Sequence, residues 1–87
     1  MHRVHAYSAL ANELEKWRTV PSAELAALVG VPPAQIAVQY GGEEFEIEIA
    51  IAWEGLDKKA VRVVGTANGL SSWRLERLQE SIVVPLP

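Results

Sequence analysis

Along the first seventeen residues, Val4, Tyr7, Leu10, Ala11, Leu14 and Trp17 recur at intervals of three and four, with Asn12, Glu13, Glu15, Lys16 and Arg18 on the remaining faces. That period predicts an amphipathic first helix, with Lys16 and Arg18 where positive charge suits the C-terminal end of the helix dipole. Pro21 ends it. Ser22 then reads as an N-cap, Glu24 as a first-turn acid, and Leu25, Leu28 and Val29 as a short apolar stripe ending before Gly30, a natural left-handed C′ residue. A second helix over about residues 22–29 is expected.

Beyond Pro32 and Pro33 the period changes to two. Ile36 and Val38 alternate with Gln35, Ala37 and Gln39, and Gly41-Gly42 is a good two-residue hairpin turn into the strict alternation of "EEFEIEIAIAW". Pairing Tyr40 with Glu43 sets Val38 opposite Phe45 and Ile36 opposite Ile47, which puts both apolar sets on one face. Phe45, Ile47, Ile49, Ile51 and Trp53 form that face of the long strand, and Glu44, Glu46, Glu48, Ala50 and Ala52 form the other. After a turn at "EGLDKK", pairing Trp53 with Val61 brings Ile51 to Val63, Ile49 to Gly65 and Ile47 to Ala67. Arg62 and Val64 then point outward beside Ala52 and Ala50. The outer face is thus carboxylate-rich near the Gly41-Gly42 end and small and apolar near the Trp53 end.

Two stretches admit a second reading. Thr19 to Tyr40 resembles the helix-turn-helix of a small transcriptional regulator, with Gly30 and Val31 as the turn and Pro33 to Tyr40 as the recognition helix. Such a helix normally offers Arg, Lys, Asn or Gln to base edges among basic neighbours. This one offers only Gln35 and Gln39 and runs into Glu43, Glu44, Glu46 and Glu48, so the strand is favoured. Residues 71–80 stay open between strand and helix. As a strand after an Asn68-Gly69 turn, Trp73 would face Gly65, Leu75 would face Val63 and Glu76 would face Arg62. As a helix, Ser72 would cap it and Leu75, Leu78 and Ile82 would form its stripe. Ile82 to Val84 reads as a last strand, which Pro85 and Pro87 mark as an edge or an end.

Eighty-seven residues, 49% of them hydrophobic, suit one domain over 1–87 with a single modest core. The absence of cysteine removes disulfide frameworks, thiolate zinc sites and thiol nucleophiles. Eleven acids against eight bases give a net charge of −3, the wrong sign for a chain that would bind by neutralising phosphates. An acidic surface points toward protein partners, basic ones among them. No apolar run resembles a signal-peptide core, and "IEIAIAW" is far short of a bilayer span, so a cytoplasmic protein without membrane contact is expected.

Candidate chemistry is sparse. His2 and His5 could share a metal but have no third ligand near them in sequence, and solvated terminal histidines are the simpler reading. Asp57 sits in a turn beside Lys58 and Lys59, with no serine or histidine arranged around it as a triad needs. Glu44, Glu46 and Glu48, two apart on one strand face, are expected to stay solvated and ionised. Gly65 and Gly69 lack a phosphate-cradling spacing, and Trp17, Trp53 and Trp73 read as core. The expectation is an α+β fold, two N-terminal helices packed on one face of a small antiparallel β-meander of three to five strands. It has no catalytic residue, cofactor or metal. The expected function is non-enzymatic protein binding of the inhibitor, immunity or adaptor kind, masking a basic partner or joining a second copy through Glu44, Glu46, Glu48, Ala50, Ala52, Arg62 and Val64. The rival class is a winged helix-turn-helix DNA-binding regulator.

Overall fold

Turn chemistry sets the topology. In the computed structural model, which describes residues 3–69 and 77–87, Gly41 and Gly42 stand at φ +60° and +79°. These are the left-handed conformations that a tight hairpin turn demands and that glycine adopts without steric penalty. They join β1 (Ala34–Tyr40) to β2 (Glu43–Glu54) with Tyr40 opposite Glu43, Val38 opposite Phe45 and Ile36 opposite Ile47, as the alternation requires. The segment that the rival reading makes a recognition helix is therefore a strand from Ala34 onward.

A second turn, with Gly55 at φ +78° and Lys58 at φ +55°, leads into β3 (Ala60–Gly69). Asp57 Oδ1 accepts from the Lys59 N–H at 3.4 Å, so the aspartate serves the turn. Trp53 meets Val61, Ile51 meets Val63, Ile49 meets Gly65 and Ile47 meets Ala67, the expected register. β4 (Arg77–Pro85) completes an antiparallel meander of order β1-β2-β3-β4.

The β4 register departs from the sequence expectation. Gly65, Arg62 and Val63 face Glu80, Val83 and Ile82, not Trp73, Glu76 and Leu75. This pairing turns Leu78, Ile82 and Val84 onto the core face opposite Ala67, Val63 and Val61, so the last strand adds branched side chains to the core. Residues 77–80 of the ambiguous stretch are strand. Trp73 and the rest of that stretch, through residue 76, lie outside the described residues.

One face of this sheet receives the helices. α1 (Arg3–Trp17) buries Ala6, Ala9, Leu10, Glu13 and Leu14, while Val4 and Tyr7 stay 66% and 51% exposed. The contact stripe is thus rotated from the one the bulky residues suggest. Ala6 and Ala9 let the helix axis come close to the sheet, and Leu10 and Leu14 pass over Gly65, where an added Cβ would stand 2.7 Å from Leu10 Cδ1 and 3.2 Å from Leu14 Cδ2. Glu13, expected on an outer face, is buried and takes a 3.2 Å bond from Lys16 Nζ. Thr19 Oγ1 donates to the Lys16 carbonyl at 2.7 Å, joining the Thr19 N–H at 3.3 Å on that acceptor at the helix end.

α2 (Ser22–Ala27) is shorter than expected. Pro21 occupies the N-cap and no side chain caps the helix, so Ser22 is its first helical residue. Leu28 is the C-cap, with Gly30 two residues on at φ +81°. Leu25 of this helix is fully buried in the core with Leu10, Phe45, Ile47, Val61 and Val63. Each such side chain contributes about 1.5–3 kcal/mol of burial.

Candidate functional site

Because both helices occupy one face, the side chains that alternate away from the core form an open face across all four strands. Pairing sets them in rows: Ala37, Glu46, Asn68 and Arg77; then Gln35, Glu48, Thr66 and Gln79; then Ala50, Val64 and Ser81; then Ala52, Arg62 and Val83. Glu44 lies one step beyond the first row, opposite Gln39. All seven candidate binding residues therefore share this face. Glu44 and Ala52 are exposed, and Glu46, Glu48, Ala50, Arg62 and Val64 are partly buried by their neighbours.

The charges divide into two zones. At one end Glu54, which the sequence reading left in the turn, is the last residue of β2 and diagonal to Arg62. Arg62 donates from Nε and Nη2 to its two carboxylate oxygens at 2.6 and 2.9 Å, and from Nη1 to Ser81 Oγ at 2.7 Å. The Arg62 hydrogen bonds hold the Glu54 carboxyl below its ordinary range, with burial opposing and charge attraction adding. Those same bonds raise the Arg62 guanidinium further. Arg62 is thus engaged along one margin of the apolar patch.

At the other end Glu44, Glu46 and Glu48 make no ion pair with another described residue. They stand about 7 Å apart along one strand face. Between the zones Thr66, only 5% exposed, accepts from Gln79 Nε2 at 3.2 Å, so the centre of the face is tied across β3 and β4. A depression of about 250 Å³ lined by Arg62, Val64, Gln79, Glu80 and Ser81 opens beside it. Glu54, Ser81, Thr66 and Gln79 were missing from the sequence reading. The signal for Glu54 was present, since pairing Trp53 with Val61 carries the strand one residue further; Ser81 and Gln79 depended on the β4 register.

His5 is not a solvated terminal residue. Its Nδ1 lies 3.6 Å from Glu43 Oε1 and its ring 5.9 Å from that of Tyr40, so it ties α1 to the hairpin. His2 lies outside the described residues, among which no group of three or more His, Cys, Asp or Glu is placed to hold a metal ion. Trp17 and Trp53 pack against the core, and Lys58 Nζ sits 5.9 Å from the Trp53 ring. No helix among the described residues is long and apolar enough to cross a membrane. Comparison with protein-family models, curated proteins and solved structures gives no match for this chain.

Proposed function

We propose that this chain is a non-enzymatic protein-binding module that presents the open face of its sheet to a basic surface of another protein, in the manner of inhibitor, immunity and adaptor proteins. The observation that carries this reading is the row Glu44, Glu46 and Glu48, without ion-pair partners among the described residues, beside the low-relief patch of Ala50, Ala52 and Val64. Like charges spaced along one strand repel one another, a cost that cations on a partner relieve. A small apolar centre with a charged rim is a common construction for an interface. Carboxylates at the rim steer encounter and act more on the association rate than on dissociation.

The test is a titration of isotopically labelled protein with a Lys/Arg-rich peptide, followed by amide chemical shifts. Perturbations are expected at Glu44, Glu46, Glu48, Ala50 and Val64, fading as salt is raised. Ala50→Arg keeps the strand and abolishes them. Perturbations confined to α1, or an Ala50→Arg variant that folds and binds unchanged, would overturn the reading.

A further inference from the structure

The two edges of the sheet are built differently. β4 carries Arg77, Glu80 and Pro85; the 2.8 Å bond from the Leu86 N–H to the Lys59 carbonyl fixes the alternation so that Pro85 falls at an outward position, where it has no N–H to offer. Charges and proline of this kind blunt an edge against pairing. β1, at the other edge, reads AQIAVQY, with no charge and no proline.

The direction of its main-chain groups follows from the turn. Tyr40 and Glu43 flank a two-residue hairpin connection, so they exchange hydrogen bonds, and Val38, Ile36 and Ala34 likewise point their main-chain groups toward β2. The alternation carried across the sheet from Leu86 gives the same assignment. Gln35, Ala37 and Gln39 therefore direct N–H and C=O outward; all three are exposed, and no main-chain bond beyond the ladder joins them to another described residue.

We infer that β1 is the pairing edge for a second copy of this chain, joined antiparallel about a two-fold axis through Ala37 to give a continuous eight-stranded sheet. In that register Ala37 meets Ala37, Gln35 meets Gln39, Ile36 meets Val38 and Ala34 meets Tyr40. Every outward N–H and C=O of Gln35, Ala37 and Gln39 then falls in a hydrogen-bonded pair, about six bonds in all. The side chains agree on both faces. Gln35 and Gln39 can exchange amide hydrogen bonds on the open face, Ile36 packs on Val38 on the helix face, and no like charges meet.

A second complementarity lies at the ends of the strand. Tyr40, 37% exposed, arrives opposite the small Ala34 of the second copy. Ala34 borders a shallow apolar pocket with Trp17, Leu28, Val31 and Pro32. The large ring faces the small residue beside the hollow, and the two-fold axis repeats that fit. A second copy is favoured over an unrelated strand because the sequence is complementary to itself in the one register that satisfies all the outward groups. The pairing also brings the two Glu44, Glu46 and Glu48 rows into one surface, separated by the two β1 strands, although it does not depend on what that surface binds.

The inference is tested by sedimentation equilibrium across a concentration series. The wild type is expected to dimerise; a monomer mass up to millimolar concentration would overturn the inference. Gln35→Lys combined with Gln39→Lys places like charges across the axis and should leave a monomer, whereas Gln35→Lys combined with Gln39→Glu places opposite charges across the same positions and should restore the dimer. Both substituted positions are exposed in the monomer, so circular dichroism should show both variants folded. If the two variants associate equally, the β1 register is wrong. A direct check uses the absence of native cysteine: under mild oxidation Ala37→Cys should form a covalent dimer, since facing residues in such a pair lie about 5.5 Å apart, within disulfide reach. Ala52→Cys, on the open face away from the axis, should not. Equal cross-linking of the two would also reject the arrangement.

Discussion

Gly65 shows how one residue governs the approach of a helix. Its missing side chain is the space through which Leu10 and Leu14 reach the sheet, and Gly65→Ala sets a methyl 2.7 Å from Leu10 Cδ1. The variant is expected to lose about 1–3 kcal/mol, because the leucine must leave its rotamer or α1 must lift; urea denaturation measures it. At the hairpin, Gly41→Ala and Gly42→Ala share the left-handed penalty of about 1 kcal/mol. Only at Gly41 would the new methyl also run into the His5 ring, at 2.5 Å. Gly41→Ala should therefore melt below Gly42→Ala. Glu54 makes a pH prediction. Its carboxyl is held below the ordinary range by Arg62, so its contribution is present above the unfolded pKa and is lost as pH falls through the lower folded one. The two side chains are 37% and 41% exposed, so the effect is small. Unfolding free energy measured at neutral pH and on the acid limb should show a shallower loss for Glu54→Gln than for the wild type.

At the scale of elements, α1 is held by its burial rather than by local propensity alone. Leu10→Ala, at a fully buried position, should cost about 2–5 kcal/mol. α2 separates two accounts of how a short helix begins. The Ser22 hydroxyl makes no capping bond, because Pro21 stands at the N-cap; a capping serine replaced by alanine typically loses about 1 kcal/mol. Ser22→Ala is accordingly expected to leave the melting midpoint close to that of the wild type, and a drop of capping size would show that the hydroxyl does cap the helix in solution. The strands differ in how far local pattern fixed them. β2 and β3 meet over a long alternating run where a slip of one residue would turn Phe45, Ile47 and Ile49 to solvent, so a single register survives. β4 has a weaker alternation, and its pairing is decided by which residues complete the core.

For the whole molecule, the two helices leave a sheet with one covered face, one open face and one unguarded edge. The open face carries the proposed partner site, and the edge carries the proposed self-association, so the two are separable by mutation. Ala50→Arg should abolish capture of the basic peptide without changing the sedimentation behaviour. The lysine pair at Gln35 and Gln39 should abolish the dimer and, because these positions lie opposite Glu48 and Glu44, weaken peptide capture as well. A net charge of −3 also predicts that duplex DNA is not bound sequence-selectively at physiological salt, since each phosphate contact must be supplied by a cation. Fluorescence anisotropy with a randomised duplex pool checks this.

Much of this arrangement was legible in the sequence by itself. The change of period from three-and-four to two gave the order of helices and strands, and Gly41-Gly42 fixed the first hairpin. The alternation from Phe45 to Trp53 determined two registers, and hence that Glu44, Glu46, Glu48, Ala50, Ala52, Arg62 and Val64 would share one face. Those are local or nearest-neighbour properties, set by side-chain period and turn sterics. The tertiary structure alone decided which side of α1 is buried, because Ala6, Ala9 and Gly65 set how closely helix and sheet can approach, a quantity no single segment contains. It also decided that Glu13 is covered, that Arg62 answers Glu54 and faces Val83, and that Ile82 meets Val63. Each of these depends on the fit of one element against another distant in sequence, where packing and not period selects among the alternatives.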